Sequence, residues 1–169
     1  MFRIDEKVVY GNSGVCIISA VTSRVFKGKS VEYYVLKPIE NMSSTVYVPL
    51  HNQSLVSKMK RIMTRDEVDQ MIMELTENSI EWIAQDNVRR DRFRSIVKSG
   101  ERKNIMSLIR TLYIKQSELK ELGKKMHVAD LDILKEAQKV LHDEMAYVLD
   151  IETTDVADYI LAKMNVVKM

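Results

Sequence analysis

The sequence predicts an α+β protein, in which a small N-terminal β-barrel is followed by an all-helical region of about five helices. Two observations predict this order. Short β-branched and aromatic runs separated by turn residues fill the first 62 residues, whereas apolar residues recur at helical spacing from Thr64 onward. We therefore predict two domains, one at 1–62 and an all-helical one at 63–169.

Five strands are predicted in the N-terminal domain. The candidate ranges are 7–11, 15–22, 31–37, 45–50 and 57–62, with turn sequences such as GNSG at 11–14 and FKGK at 26–29 between them. Pro49 makes 45–50 an edge strand or a strand end, because proline cannot donate to a sheet ladder. A sheet this small is expected to close into a barrel without exposed edges, of the Tudor-like or SH3-like kind.

Helix-start and helix-stop signals organise the rest of the chain. Thr64 and Glu67 fit a capping box for the first helix, and residues 76–78 interrupt it. Further helices are predicted at 79–98, 101–121, 129–150 and from 153 or 154 onward. Glycines at positions 100 and 123 are suited to end two of these helices.

Charge is distributed unevenly, although the formal net charge is only +2. Residues 89–104 carry seven basic and two acidic side chains, whereas residues 126–169 carry four basic and nine acidic ones. A phosphate backbone responds to such local clusters and not to the total. Most charge runs are ordinary solvated helix faces, so composition alone does not establish a phosphate-binding surface here.

Catalytic and metal-binding chemistry is not indicated. His51, His127 and His142 are scattered and lack cysteine or carboxylate neighbours at metal-ligand spacing, and the sequence has no phosphate-binding glycine loop. The single Cys16 lies in an apolar strand, which is typical of a buried thiol and of a reducing cytoplasm. No apolar run reaches membrane-spanning length, and no signal segment is recognisable at the start. We therefore predict a non-enzymatic cytoplasmic binding protein without metal or cofactor.

The predicted helix at 79–98 holds the only tryptophan, Trp82, together with a run of arginines. With about 100° per residue, Trp82 shares a side of this helix with Phe93 but lies some turns away from it. A partly exposed ring flanked by arginines can press into a minor groove or stack on a base, while the arginines hold phosphates. A core position for Trp82 fits as well, since tryptophan is usually mostly buried.

Several strings occur in an order typical of one protein family. VVYGNSG, SRVFKGK, EYYVLKPI and TVYVP are followed by Trp82, the arginine run, KSG at 98–100 and LIRTLY at 108–113. In this order they resemble the bacterial CarD/CdnL transcription regulators over almost the full chain. The resemblance implies a Tudor-like domain that binds the β-subunit lobe of RNA polymerase. It also implies a helical domain that contacts promoter DNA near the upstream edge of the −10 element and stabilises the open complex.

The resemblance further implies which residues contact each partner. On the polymerase side these are Arg24 in the first hairpin, Tyr47 at a position where the family carries arginine, and the neighbouring Val46 and Val48. On the DNA side Trp82 matches a tryptophan that wedges into the minor groove, although it lies one helical turn upstream of the family position, which Asp86 occupies. The basic residues expected to hold the DNA backbone are Arg89, Arg90, Arg92, Arg94, Arg102 and Lys103.

These inferences lead us to expect a monomeric bacterial transcription regulator in the cytoplasm, associated with the nucleoid through RNA polymerase. Its partners would be the polymerase β subunit and double-stranded promoter DNA, and no membrane. One alternative stays open, in which the protein is a polymerase-tethered adaptor whose helical domain binds another protein. DNA retardation at moderate salt separates the two hypotheses.

Overall fold

The computed structural model describes residues 1–75 and 79–168, and the chain divides into two compact units, Met1–Met63 and Thr64–Met169. The N-terminal unit contains an antiparallel five-stranded sheet and the second, the helical unit, contains helices, so the predicted α+β class is confirmed. The predicted interruption at 76–78 lies outside the described residues. Within 1–75 and 79–168, no helix is long and apolar enough to span a bilayer.

Five strands form the sheet of the N-terminal unit in the order β4-β3-β2-β1-β5. Their bounds are β1 Lys7–Tyr10, β2 Val15–Phe26, β3 Lys29–Pro38, β4 Val46–Pro49 and β5 Met59–Arg61. A one-turn helix, α1, covers Gln53–Val56 between β4 and β5. Asn52 caps this helix, because its side chain accepts a hydrogen bond from the Leu55 N–H at 3.2 Å.

The sheet is not closed, so the predicted barrel closure is wrong. Within the N-terminal unit, all of which is described, β4 and β5 are the two edges and do not pair with each other. These edge strands have only four and three residues. Strands this short supply few backbone groups for the additional ladder that closure requires. Both edges, β4 and β5, consequently stay open.

One face of the sheet carries the core of the N-terminal unit. Its buried side chains belong to Val8, Cys16, Ile18, Tyr34, Leu36, Val48 and Met59. Desolvation raises the pKa of the Cys16 thiol to about 11, so this group stays protonated and unreactive at neutral pH. The predicted buried thiol is confirmed.

The long β2–β3 hairpin reverses at Lys27 and Gly28, where the backbone φ angles are +48° and +76°. Two successive positive φ angles define the turn whose twist matches that of the flanking strands. Glycine reaches this conformation without strain, whereas a residue with a Cβ atom does not. The predicted turn is confirmed, and it pairs Phe26 with Lys29 across the hairpin.

Five helices follow in the described part of the helical unit. They are α2 Arg65–Glu74, α3 Asp86–Ser99, α4 Arg102–Glu121, α5 Val128–Leu149 and α6 Val156–Lys168. The predicted capping box starts α2, because the Glu67 N–H donates to Thr64 Oγ1 at 3.2 Å and the Thr64 N–H donates to Glu67 Oε2 at 2.7 Å. Gly100 and Gly123 take left-handed conformations just past α3 and α4, as predicted.

The helix predicted at 79–98 begins at Asp86, so the prediction is wrong for residues 79–85, which we name the lead-in segment. Tertiary partners replace the helical hydrogen bonds there. The carbonyl oxygens of Ile83 and Ala84 accept from Arg89 Nη1 at 2.9 and 3.4 Å. Near its start, the Ile80 N–H donates to Thr111 Oγ1 on α4 at 3.2 Å. Trp82 therefore lies on a non-helical segment and not on the arginine-bearing helix.

Candidate functional site

Strand β4 offers an open edge for pairing. The Leu50 N–H donates to the Glu32 carbonyl at 2.9 Å. In an antiparallel ladder the backbone N–H and C=O groups of successive residues point alternately toward the partner strand and away from it. The backbone groups of Val46 and Val48 therefore point toward β3, and those of Thr45 and Tyr47 point away. An extended peptide can add to the sheet along this edge.

A cation–aromatic cluster lies on the outer face of the sheet, opposite the core. Arg24 Nη2 donates to the Tyr47 hydroxyl at 2.6 Å, and Arg24 Cζ lies 4.0 Å from the Tyr47 ring centroid. Tyr33 packs edge-on against Tyr47, with 6.2 Å between ring centroids. Phe26 follows Arg24 by two residues, so it faces the same side, where 60% of its surface is exposed. We name these four residues the outer-face cluster.

Val46 and Val48 do not contribute side chains to this surface. Val48 is fully buried in the core, and Val46 packs half-buried against it. The alternation that turns Tyr47 outward turns both valine side chains inward, so a polymerase contact through these side chains has no support in the fold. Arg24 and Tyr47, which the resemblance implied as polymerase contacts, lie side by side in the outer-face cluster. Phe26 was missed, and its alternation with Arg24 in the hairpin was the signal that could have found it.

Trp82 packs back onto the helices from the lead-in segment. Its half-buried ring lies edge-on to Phe93, with 5.8 Å between centroids. Arg89 Cζ lies 4.3 Å from the Trp82 centroid, and Lys115 Nζ lies 5.1 Å from it. The ring is therefore partly exposed and is bordered by two cations.

Arg89 is buried, so its predicted role as a phosphate contact is not supported. It is 2% exposed, and its Nη2 donates at 2.8 Å to Asp130 Oδ2 and at 2.8 Å to Asp86 Oδ1. Burial alone would lower the pKa of Arg89, but the hydrogen bonds to Asp130 and Asp86 outweigh it and raise the pKa. The guanidinium is thus permanently charged and occupied within the protein.

Three other predicted phosphate contacts are engaged in ion pairs inside the helical unit. Arg90 lies 3.4 Å from Asp130 Oδ1 and 3.6 Å from Asp86 Oδ2. Arg102 forms a bidentate pair with Glu144, with both contacts at 2.8 Å. Lys103 Nζ lies 2.6 Å from Glu74 Oε2. The pairs of Arg90 and Arg102 with largely buried carboxylates weaken these arginines as binders of DNA phosphates, whereas the exposed pair of Lys103 competes less with phosphate.

Of the basic residues predicted to contact DNA phosphates, Arg92 and Arg94 are the two whose side chains are not engaged in an ion pair within the described residues. Both are exposed, and neither has an ion-pair partner among residues 1–75 and 79–168. At about 100° per residue they lie about 200° apart around α3, so they point to different sides. Lys98 follows Arg94 by one turn and is also exposed without a partner in the described chain. Arg94 and Lys98 therefore share a basic side of α3.

A second basic surface, missed in the sequence, lies at the end of the helical unit that holds Trp82. The lead-in segment runs along α4 from Thr111 to Lys115, toward the α4–α5 connection. Lys124 and Lys125 are exposed there, and within the described ranges neither has a partner. We name Trp82, Lys115, Lys124 and Lys125 the tryptophan end. Its signal in the sequence was the KK pair beside the helix-ending Gly123.

Ion pairs place the start of α3 beside the start of α5, because Arg89 and Arg90 on α3 both contact Asp130 on α5. The pKa of Asp86 is lowered first by the hydrogen bond from Arg89, and also by the nearby charges of Arg90 and His127. His127 is the residue that precedes α5. The starts of α3 and α5 thus meet where α4 ends, beside Trp82.

Comparison with known protein families identifies one of the two units. Residues 2–62 match the family model described as the CarD-like/TRCF RID domain. The matched range contains all five strands, the open edge of β4 and the outer-face cluster. This match confirms the resemblance for this part of the chain, and it supports RNA polymerase as the partner. The N-terminal unit is therefore similar to the CarD-like RNA polymerase-interacting domain over residues 2–62.

Proposed function

We propose that the protein is a non-enzymatic, cytoplasmic, monomeric transcription regulator that binds RNA polymerase through the N-terminal unit and promoter DNA through the helical unit. The tryptophan end carries the DNA half of this proposal. It combines a partly exposed aromatic ring with Lys124 and Lys125, which have no carboxylate partner within residues 1–75 and 79–168. Aromatic rings stack on or wedge between bases, and lysines hold phosphates.

The β-subunit lobe is the polymerase surface we propose as the partner of the N-terminal unit. The open β4 edge supplies backbone hydrogen bonds, and the outer-face cluster supplies arginine and aromatic side chains, which dominate binding energy at interfaces. The Tyr47 ring and hydroxyl hold the Arg24 guanidinium in place. A guanidinium fixed in this way binds a partner carboxylate with less loss of side-chain entropy.

Charge reversal at Arg24 tests the polymerase half. Arg24→Glu should weaken binding of the full chain to polymerase by about 2 kcal/mol, or roughly 30-fold, because it removes a central anchor. Lys58→Glu is the matched control, since Lys58 is exposed in the same unit outside the outer-face cluster. Equal losses of affinity in the two variants would indicate a general charge effect and remove the cluster from the interface.

The helical unit would act on promoters by differential binding. Contacts that exist only on distorted or melted DNA favour that state by the extra free energy they contribute. In this scheme Trp82 engages a distorted step at the upstream edge of the −10 element, and Lys124 and Lys125 hold neighbouring phosphates. Arg94 and Lys98 supply a second backbone contact on α3.

Two variants test the DNA half. Trp82→Ala should shorten the lifetime of the open complex while leaving polymerase binding unchanged. Lys124→Glu/Lys125→Glu should weaken DNA binding and reduce the slope of log affinity against log salt by about two, because each lysine neutralises about one phosphate. Lys135→Glu/Lys139→Glu, an exposed pair on α5, is the matched control. An unchanged slope in the 124/125 variant would exclude these lysines from the interface.

Two observations favour a second candidate, a polymerase-tethered adaptor whose helical unit binds a protein. The chain from Thr64 to Met169 carries seventeen basic and twenty acidic residues. Four of the seven basic residues at 89–104 are also paired internally. Retardation of a promoter fragment by the full chain at moderate salt decides between the candidates, because the adaptor would leave free DNA unshifted.

A further inference from the structure

We infer that the buried ion pair between Arg89 and Asp130 positions Trp82 from outside the binding surface. Arg89 contacts both the Trp82 ring and the segment that carries it. Its guanidinium lies over the Trp82 ring at 4.3 Å and donates to the carbonyls of Ile83 and Ala84. The same group is fixed to α5 through Asp130.

The guanidinium uses all of its donor nitrogens in this arrangement. Nη1 serves the two carbonyls of the lead-in segment, Nη2 serves Asp86 and Asp130, and Nε lies 3.4 Å from Asp130 Oδ1. The side chains of Arg89 and Asp130 are each only 2% exposed. A planar fork saturated in this way has one orientation, which a lysine ammonium cannot reproduce. The Arg89–Asp130 pair therefore fixes the orientation of the guanidinium.

The lead-in segment has few other restraints. Ahead of Gln85, the described chain gives it one further hydrogen-bond anchor, between Ile80 and Thr111. Trp82 lies between that anchor and the carbonyls held by Arg89. If Asp130 no longer fixes Arg89, the carbonyls of Ile83 and Ala84 lose a donor of fixed orientation, and Trp82 gains freedom to move.

The consequence for binding rests on the proposed function. A ring held in one position before DNA arrives loses less conformational entropy when it binds. Asp130, itself buried, would then control DNA affinity without touching DNA. Arg89 and Asp130 are positioning residues in this scheme, and Trp82 is the residue that meets the ligand.

Trp82 is the only tryptophan, so acrylamide quenching of its fluorescence in the full chain reports its mobility and exposure directly. The test variant is Arg89→Met/Asp130→Leu, because apolar replacement of a whole buried ion pair leaves a protein folded more often than removal of one partner. We expect helical circular dichroism to be retained, quenching to increase, and affinity for a promoter duplex to fall about tenfold. Arg89→Lys is the second variant, which keeps the charge but loses the fork, and should also increase quenching.

Asp69→Leu/Lys163→Met is the matched control, since it removes another ion pair of the helical unit, between α2 and α6. It should leave quenching and DNA affinity as in the unmodified protein. Unchanged quenching in both Arg89 variants, with helices retained, would overturn the inference. Failure of the unmodified protein to bind the duplex would instead contradict only the proposed function, because the quenching comparison needs no DNA.

Discussion

His142 is buried on α5 with a ring nitrogen that has no hydrogen-bond partner. Its side chain is 6% exposed, and Nε2 is unpaired within the part of the chain that the structure describes. Desolvation lowers the pKa of this imidazole. The unfolded chain takes up a proton near its ordinary pKa of about 6.5, whereas the folded unit resists protonation until lower pH. The free energy of unfolding should therefore fall as the pH drops below about 6.5.

Replacement of His142 tests this pH dependence. His142→Leu should flatten the decline of unfolding free energy below about pH 6.5, because the unfolded state then gains no proton at this position. Denaturant unfolding followed by Trp82 fluorescence reports on the same unit. His127→Gln, at an exposed histidine, is the control and should keep the decline. Parallel pH profiles for the unmodified protein and His142→Leu would contradict the prediction.

The arginines show how far the sequence could predict the candidate site at this scale. Residue types and spacing identified Trp82 and the basic run, and the structure leaves Arg92 and Arg94 exposed as expected. Spacing did not distinguish Arg89 from Arg92, because the partner that buries Arg89 is Asp130, 41 residues away. A long-range ion pair of this kind leaves no local signal.

The capping box formed by Thr64 and Glu67 stabilises the start of α2. Thr64→Ala should lower the free energy of unfolding of the helical unit by about 1 kcal/mol, because the Glu67 N–H loses its acceptor. Thr64→Ser keeps the hydroxyl and is the control. Denaturant midpoints from Trp82 fluorescence measure both. A similar loss of stability in the two variants would mean that the hydroxyl does not stabilise the helix.

Thr111 is the α4 residue that anchors the lead-in segment. Thr111→Val keeps the shape of the side chain but removes the acceptor for the Ile80 N–H. It should lower the unfolding free energy by about 1 kcal/mol and increase acrylamide quenching of Trp82. Ser117→Ala, at an exposed position further along α4, is the control. Increased quenching in both variants, or in neither, would show that this anchor does not restrain Trp82.

Local sequence signals predicted most of the helices and strands correctly. The two wrong predictions, the closed barrel and the helix at 79–85, share a physical origin. Thr64 with Glu67, Gly28 and Gly100 are local signals, and each marks a boundary or turn seen in the structure. The open sheet and the non-helical lead-in segment depend on tertiary partners. At 79–85 the side chain of Arg89 takes carbonyls that helical periodicity would have assigned to backbone N–H groups.

At the scale of the whole molecule, each unit carries its own surface. The N-terminal unit has nine basic and four acidic residues and presents the outer-face cluster, whereas the tryptophan end belongs to the helical unit. Covalent linkage converts the second binding event into an intramolecular one at high effective concentration. A helical unit with modest affinity for free DNA would thus act on promoters once polymerase is bound. Regulation in the proposed scheme requires both surfaces on one chain.

Complementation between two variants tests that requirement. Arg24→Glu should bind polymerase roughly 30-fold more weakly but keep its affinity for free DNA. Trp82→Ala should keep polymerase binding but lose the effect on open-complex lifetime. A mixture of the two proteins should not restore that lifetime, because no single molecule then joins polymerase to a competent tryptophan end. The measurement is open-complex decay with each variant, with the mixture and with the unmodified chain. Recovery in the mixture would show that the surfaces act independently and would contradict the two-site scheme.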